Sequence, residues 1–166
     1  MTSFDPLALA RPEIQALKPY ASARALADSS GILLNANENP FAPTVDSALA
    51  LNRYPDPQPE PLKQRLAEIY GVQPEQLLIT RGSDEGIDLL LRVFCRPGLD
   101  RVLICPPCFG MYALSARIQG LAVVESRLVE VGDAFSGHSF SLNPELAQQA
   151  EQCKVSFLCS PNNPTG

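Results

Sequence analysis

The chain has 166 residues, of which 45% are hydrophobic and 19% charged, and a net charge of −5 at pH 7. It lacks an apolar run long enough to span a bilayer, and its acidic balance without a Lys/Arg cluster argues against a nucleic-acid groove or an anionic membrane surface. The first twenty residues contain Asp5 and Glu13 and no continuous apolar core, so no secretory signal is visible and a cytoplasmic address is expected.

Residues 1–58 are Pro-rich and weakly periodic, with turn-like clusters "NENPFAP" and "RYPDPQPEP". They read as an arm, and 59–166 as a more regular domain. "EPLKQRLAEIY" places Leu62, Leu66, Ile69 and Tyr70 on one helical face, and "QLLIT" at 76–80 has strand length. "GIDLLLRVFCR" repeats helical spacing through Ile87, Leu90, Leu91 and Phe94, followed by a strand, "RVLIC", at 101–105. "FGMYALSARIQ" places Met111, Leu114, Ser115 and Ile118 on one face, and "LAVVES" at 121–126 is the next strand. "NPELAQQAEQ" begins with a capping Asn143 and a Pro144 at the first helical position, and "KVSFLCS" at 154–160 closes the series. Strands alternating with helices predict an α/β fold with a mostly parallel sheet between helical layers. Ligands of such folds bind beyond the carboxyl ends of the strands.

Three of those ends carry candidate chemistry. After 76–80 comes "RGSDEG", where a glycine turn opening a helix would present the N–H groups of Gly82, Ser83 and Asp84 to an anion. The plainer alternative is that Ser83 caps the helix while Asp84 and Glu85 complement its dipole. After 101–105 comes "PPCFGMY", where Phe109 or Tyr112 could lie on a planar ligand; here the "CPPC" pair, Cys105 and Cys108, also allows a thioredoxin-like redox reading. The two prolines inside that pair and the absence of related sequence upstream weigh against it. The five cysteines are odd in number and scattered, unlike a disulfide framework. After 154–159 comes "SPNNPTG", where Asn163 precedes Pro164 and its amide can hold a phenolic oxygen, unless it is an ordinary turn residue. A phosphate cradle, a stacking ring and an oriented amide together suit a flat, phosphorylated, hydroxylated aromatic ring such as pyridoxal phosphate. No metal-ligand pattern is visible.

"LNANENPF", "RYPDPQP", "TRGSDEGIDLLLRVFCRPG", "CPPCFGMY" and "SPNNPTG" occur in the order and spacing of the histidinol-phosphate aminotransferases. The chain resembles that family from about Pro19 to Gly166. "NNPTG" alone would indicate only the wider aminotransferase class, whereas the combination with "RGSDEGIDLL" and "FGMY" is more specific. The resemblance implies a fold-type I pyridoxal-phosphate fold, three-layer α/β/α, of which 59–166 would be the first half of the large domain and 1–58 an arm and dimer-contact segment. It implies that Gly82, Ser83 and Asp84 hold the cofactor phosphate, that Tyr112 stacks on the pyridine ring and that Asn163 bonds its phenolic oxygen. Tyr54 would reach the cofactor phosphate of the neighbouring subunit of a homodimer, and Tyr20 and Asn37 would lie near the substrate.

The implied reaction is amino transfer from L-histidinol phosphate to 2-oxoglutarate, giving imidazole acetol phosphate and glutamate in histidine biosynthesis. Neither Lys18, Lys63 nor Lys154 follows the serine-rich approach expected of the lysine that forms the family's Schiff base. That lysine, the aspartate on the pyridine nitrogen and the substrate's phosphate-binding arginines are expected beyond Gly166. No catalytic residue is therefore assigned within 1–166, and these residues alone are expected to be inactive. Two alternatives stay open. One is a related fold-type I enzyme such as a threonine-phosphate decarboxylase; the other is a catalytically dead half-domain that binds an anion or a partner chain.

Overall fold

A computed structural model describes residues 5–18, 20, 32, 34, 36–44, 51–132 and 139–166. Pro19, where the resemblance begins, and parts of the expected arm lie outside the described residues. The chain divides into two units, Met1–Leu17 with Thr80–Gly166, and Lys18–Ile79.

The first unit is built on strand β1, Arg101–Ile104. Strand β2, Ala122–Glu125, and strand β5, Val155–Phe157, pair with it in parallel, giving the order β2-β1-β5. Val102 lies opposite both Val123 and Val155. With a neighbour on each side, β1 is apolar from Val102 to Ile104, as a strand buried on both faces is, and only Arg101 at its start is exposed. Val102 and Leu103 are fully buried; because strand side chains alternate, they serve opposite faces of the sheet.

Helix α3, Gly82–Phe94, covers the face carrying Val102 and Ile104. Ile87 and Leu91, one turn apart, and Cys95 just past the helix point into that core, where they meet Ala116 and Leu121. Sealing Leu91 from water contributes about 2 kcal/mol. On the outer side Arg92 Nε donates to Asp88 at 2.6 Å. Helix α4, Met111–Ile118, connects β1 to β2 and packs against α3. Gln119, at its end, donates to the Asp88 carboxylate at 2.9 Å. Near the amino terminus, helix α1, Pro12–Gln15, follows Arg11, whose N–H donates to the Val93 carbonyl at 2.9 Å and whose guanidinium reaches the Cys95 carbonyl at 3.3 Å. A cation thereby meets the negative, unpaired end of α3.

A hairpin absent from the sequence-based expectations intervenes before β5: strands β3, Val129–Val131, and β4, Ser139–Ser141, pair antiparallel. Helix α5, Leu146–Ala150, then leads into β5. The expected cap is not realised: Glu145 holds the cap position of a helix that begins at Leu146 and no side chain caps it, while Asn143 Oδ1 closes the preceding turn by accepting from the Glu145 N–H at 2.9 Å, leaving Pro144 outside the helix.

In the second unit, helix α2, Glu60–Tyr70, ends at Gly71, whose φ of 65° is the left-handed stop that glycine adopts without strain. The expected strand at 76–80 is not formed. Pro74–Gln76 make a 3-10 turn, closed by reciprocal bonds between Gln73 and Gln76, and the residues after it pair with no strand among those described. Gln58 supplies the substitute: its amide nitrogen donates to the Ile79 carbonyl at 2.9 Å and its amide oxygen accepts from the Ile79 N–H at 2.8 Å. One side chain thus meets both backbone groups that a strand neighbour would have met.

The apolar faces also differ from the periodic expectation. Leu90 is 45% exposed, and in α4 the buried residues are Ser115 and Ala116 while Leu114 and Ile118 face outward. In α2 only Ala67 is buried, and Leu62, Ile69 and Tyr70 are exposed. Helical spacing sets which residues share a face; the packing partner then selects among neighbouring stripes, and β1 accommodates the smaller one.

The Gln58 brace is testable. Gln58→Ala leaves Ile79 with two unpaired backbone groups and should cost about 1–2 kcal/mol, read as a lower denaturation midpoint and faster hydrogen exchange at the Ile79 amide.

Candidate functional site

The carboxyl ends of β1 and β5 lie side by side. From β1 the chain runs through Cys105, Pro106, Pro107 and Cys108 into α4; from β5 it runs through Leu158 and Cys159 into the turn at 160–166. Asn162 fastens the two together. Its side-chain amide nitrogen donates to the Pro107 carbonyl at 2.8 Å and to Thr165 Oγ1 at 2.6 Å, while its backbone carbonyl accepts from the Gly166 N–H at 2.7 Å. Asn163, the next residue, is exposed, and no hydrogen bond of its side-chain amide is found among the described residues. The two adjacent asparagines therefore divide the work, one bracing the turn and the other presenting an uncommitted amide.

The Asn163 N–H donates to Cys159 Sγ at 3.4 Å, and the nearby Tyr112 phenol acts electrostatically on the same thiol. These groups, the Asn163 N–H first, then the Tyr112 phenol and, more weakly, the Phe109 N–H, pull the Cys159 thiol below its ordinary pKa despite opposing desolvation. The Tyr112 phenol moves the other way, pushed up to about 12 by burial and then by its interaction with Cys159. Its ring stacks on Phe157 with centroids 4.7 Å apart and planes 4° from parallel, and meets Phe109 edge-on at 5.6 Å. Phe157 covers one face of the ring, so a planar ligand would have to use the other.

The start of α3 is open. Gly82 has φ of 78°, where an L side chain would cost roughly 1–2 kcal/mol, and an added Cβ would meet nothing within 4 Å. The alternative in which Ser83 caps this helix is not realised: Arg81 occupies the cap position, Ser83 lies inside the first turn, and no side chain makes a cap hydrogen bond. Glu85 instead accepts from the Arg81 N–H at 2.6 Å and pairs with its guanidinium at 2.8 Å. That hydrogen bonding holds the Glu85 carboxyl below its usual pKa and, with the ion pair, balances one of the acids beside the helix start. Among the described residues the N–H groups of Ser83 and Asp84 have no partner. They remain as donors at the positive end of the helix dipole. The structure records no bond or ring contact between this helix start and the Tyr112–Cys159–Asn163 group.

In the second unit, Asn37 and Tyr54 line one cleft of about 640 Å³. Asn37 has φ of 51°, in the left-handed region that asparagine tolerates. Tyr54 is 63% exposed, and Tyr20 is 91% exposed.

A thioredoxin-like role for "CPPC" finds no support in the thiols. All five cysteines are free, and burial pushes Cys105 and Cys108 above the ordinary thiol pKa, opposite to a redox nucleophile.

The profile of the family described as "Aminotransferase class I and II" matches residues 29–166. The chain belongs to the class I and II aminotransferases. It is 49% identical over 163 residues to the histidinol-phosphate aminotransferase of Stenotrophomonas maltophilia, covering 98% of this chain and 44% of that protein. Against the histidinol-phosphate aminotransferase of Xylella fastidiosa it is 49% identical, covering 96% of this chain and 43% of that protein. It thus spans less than half the length of these curated relatives. In structure it resembles N-succinyldiaminopimelate aminotransferase from Mycobacterium tuberculosis, with TM-score 0.60 and 28% identity over 70% of this chain and 32% of that one. The parallel α/β sheet is accordingly the aminotransferase fold.

Several residues that shape the two candidate sites, one in each unit, do not stand out in the sequence. Cys159 and Phe157 read there only as apolar strand residues, and Asn162 as half of an "NN" pair. Glu38 sits inside "NENP" beside the more conspicuous Asn37. The adjacent polar residues in both motifs are the available signal, since a rigid turn needs one group to brace it for each group it presents.

The Tyr112 shift has a signed consequence. Its folded pKa of about 12 lies above the ordinary 10.0, so the proton is held more tightly in the folded state. The stability this supplies is complete below pH 10 and is lost as pH rises towards 12. Alkaline titration followed by the ultraviolet phenolate band should show a late-ionising tyrosine that Tyr112→Phe abolishes, and that variant should lose less stability across the same interval.

Proposed function

We propose that the protein containing this chain is a pyridoxal-phosphate-dependent histidinol-phosphate aminotransferase that works as a homodimer in the cytoplasm. It would move the amino group of L-histidinol phosphate to 2-oxoglutarate, giving imidazole acetol phosphate and glutamate. The observation that carries this reading is the 49% identity to a histidinol-phosphate aminotransferase across 98% of the chain.

The residues present fit the cofactor. An anion at the start of α3 would find the unpartnered N–H groups of Ser83 and Asp84, with Gly82 allowing close approach. The Arg81–Glu85 pair lessens the negative charge that a phosphate would otherwise meet. Tyr112 would lie on the pyridine ring as a neutral phenol, because its high pKa keeps it protonated throughout the physiological range. Asn163 would donate its amide N–H to the ring's phenolic oxygen and hold developing negative charge there. Tyr54 would contact the cofactor phosphate of the neighbouring subunit, with Tyr20 and Asn37 towards the substrate. When bound, the cofactor supplies the electron sink for charge released as the substrate's C–H proton leaves. The covalent hold on the cofactor and the grip on the substrate's phosphate are assigned to the part of the relatives' length that this chain does not span.

The full-length protein, incubated with L-histidinol phosphate and 2-oxoglutarate, should form glutamate in step with imidazole acetol phosphate. Failure to form glutamate sinks the assignment. Asn163→Ala should lower kcat by roughly 100- to 1,000-fold, the range for losing one donor to developing charge. An unchanged kcat would show that Asn163 does not hold charge on the phenolic oxygen.

A further inference from the structure

The cleft that joins Asn37 and Tyr54 is organised by a residue that neither role includes. The Glu38 side chain is 4% exposed, an unusual place for a carboxylate in a segment made of turns. One of its oxygens accepts from the Tyr54 N–H at 2.6 Å, and the other accepts from Arg53 Nη1 at 2.9 Å. Both bonds cross fifteen or more positions of sequence and tie the 36–44 stretch to 51–55. The surrounding geometry serves the same contact. Asn37 adopts its left-handed turn immediately before Glu38, and the Asn39 carbonyl accepts from Asn52 Nδ2 at 2.8 Å immediately after it. Asn39 Oδ1 then closes the turn by accepting from the Phe41 N–H at 3.0 Å.

The pairing is asymmetric. Arg53 is 39% exposed at its side chain and can exchange its bond for water, whereas the Tyr54 N–H is a backbone donor fixed in direction. The carboxylate therefore sets where the Tyr54 backbone stands, while Tyr54 as a residue remains 63% exposed. A short charge-assisted bond to the backbone with an outward ring is the arrangement expected of a side chain aimed at something outside its own segment.

We propose that Glu38 is the positioning residue for Tyr54: by holding the Tyr54 N–H and Arg53 together it aims the Tyr54 hydroxyl at the phosphate of the cofactor. This rests on the proposed function, in which Tyr54 contacts that phosphate. In this role Glu38 acts through the Tyr54 backbone and not by contact with the phosphate.

The test compares affinities of the apo form of the full-length protein for pyridoxal phosphate and for pyridoxal, which lacks the phosphate. The ratio of the two isolates the phosphate contact from general damage to the site. Tyr54→Phe should lower the preference for the phosphorylated form by about tenfold, the value of one hydrogen bond to a charged group. Glu38→Asp keeps the charge but withdraws the carboxylate by one methylene, out of reach of the Tyr54 N–H, and should lower the preference by about the same factor. Glu38→Gln keeps the reach and an oxygen acceptor and should stay within about threefold of the parent. The double variant Glu38→Asp/Tyr54→Phe should be no worse than Tyr54→Phe alone, because both substitutions remove one contact. A Glu38→Asp protein with the parent's preference, alongside a Tyr54→Phe protein that has lost it, overturns the role of Glu38 and leaves that of Tyr54 standing. A Tyr54→Phe protein with the parent's preference overturns both.

Discussion

Burial of β1 is the constraint on which the first unit depends. Val102 and Leu103 are fully buried, on opposite faces of the sheet, and both edges of the strand are paired. A strand enclosed in this way has little freedom of register, because a slip of one residue would exchange the two apolar faces. Its carboxyl end is therefore a rigid platform. The segment leading into α4 and its Tyr112 leaves from that end, and the turn carrying Asn163 leaves from the end of the adjacent β5. The hydrophobic term supplies most of the stability and sets no chemistry; the chemistry begins where the strands stop.

Beyond the strands, side chains replace backbone partners at several points, three of them beside candidate site residues or an unpaired apolar segment. Gln58 meets both groups of Ile79, Asn162 bridges the Pro107 carbonyl and Thr165, and Glu38 holds the Tyr54 N–H. Each satisfies polar groups in a segment without a ladder to join. The residues with proposed functional roles lie beside these braces. Asn163 follows Asn162, Asn37 precedes Glu38, and Tyr54 is itself the braced residue. A precise site on irregular backbone needs this division, since a side chain spent on supporting the turn is not available to a ligand.

Much of the fold is legible in the sequence because it rests on local rules. Helices at 60–70, 82–94 and 111–118 and strands at 101–104, 122–125 and 155–157 follow from periodicity and turn residues. The segment at 76–80 reads as a strand because its apolar run is genuine, whereas a strand exists only with a partner, and Gln58 takes the partner's place. Spacing assigns Leu90, Leu114 and Ile118 to buried faces and the structure does not, because amphipathic spacing leaves adjacent stripes nearly equivalent until the sheet is placed. The hairpin of β3 and β4 escapes the pattern, since its strands are three residues each and carry little periodic signal.

By itself, the sequence determined the three longer helices and the three strands of the parallel sheet, the glycine turn before α3, the stiff Asn-Pro turn after β5 and, through its ordered motifs, the aminotransferase family. These depend on neighbours a few residues apart, where backbone sterics and helical or strand periodicity act. Only the tertiary structure decided that Asn162 ties the turn after β5 to the Pro107 carbonyl, that Arg11 closes the end of α3, and that Glu38, with its side chain 4% exposed, couples Asn37's turn to Tyr54. Those contacts link residues distant along the chain, and their strength comes from removing charge and hydrogen-bonding groups from water, which no local spacing records.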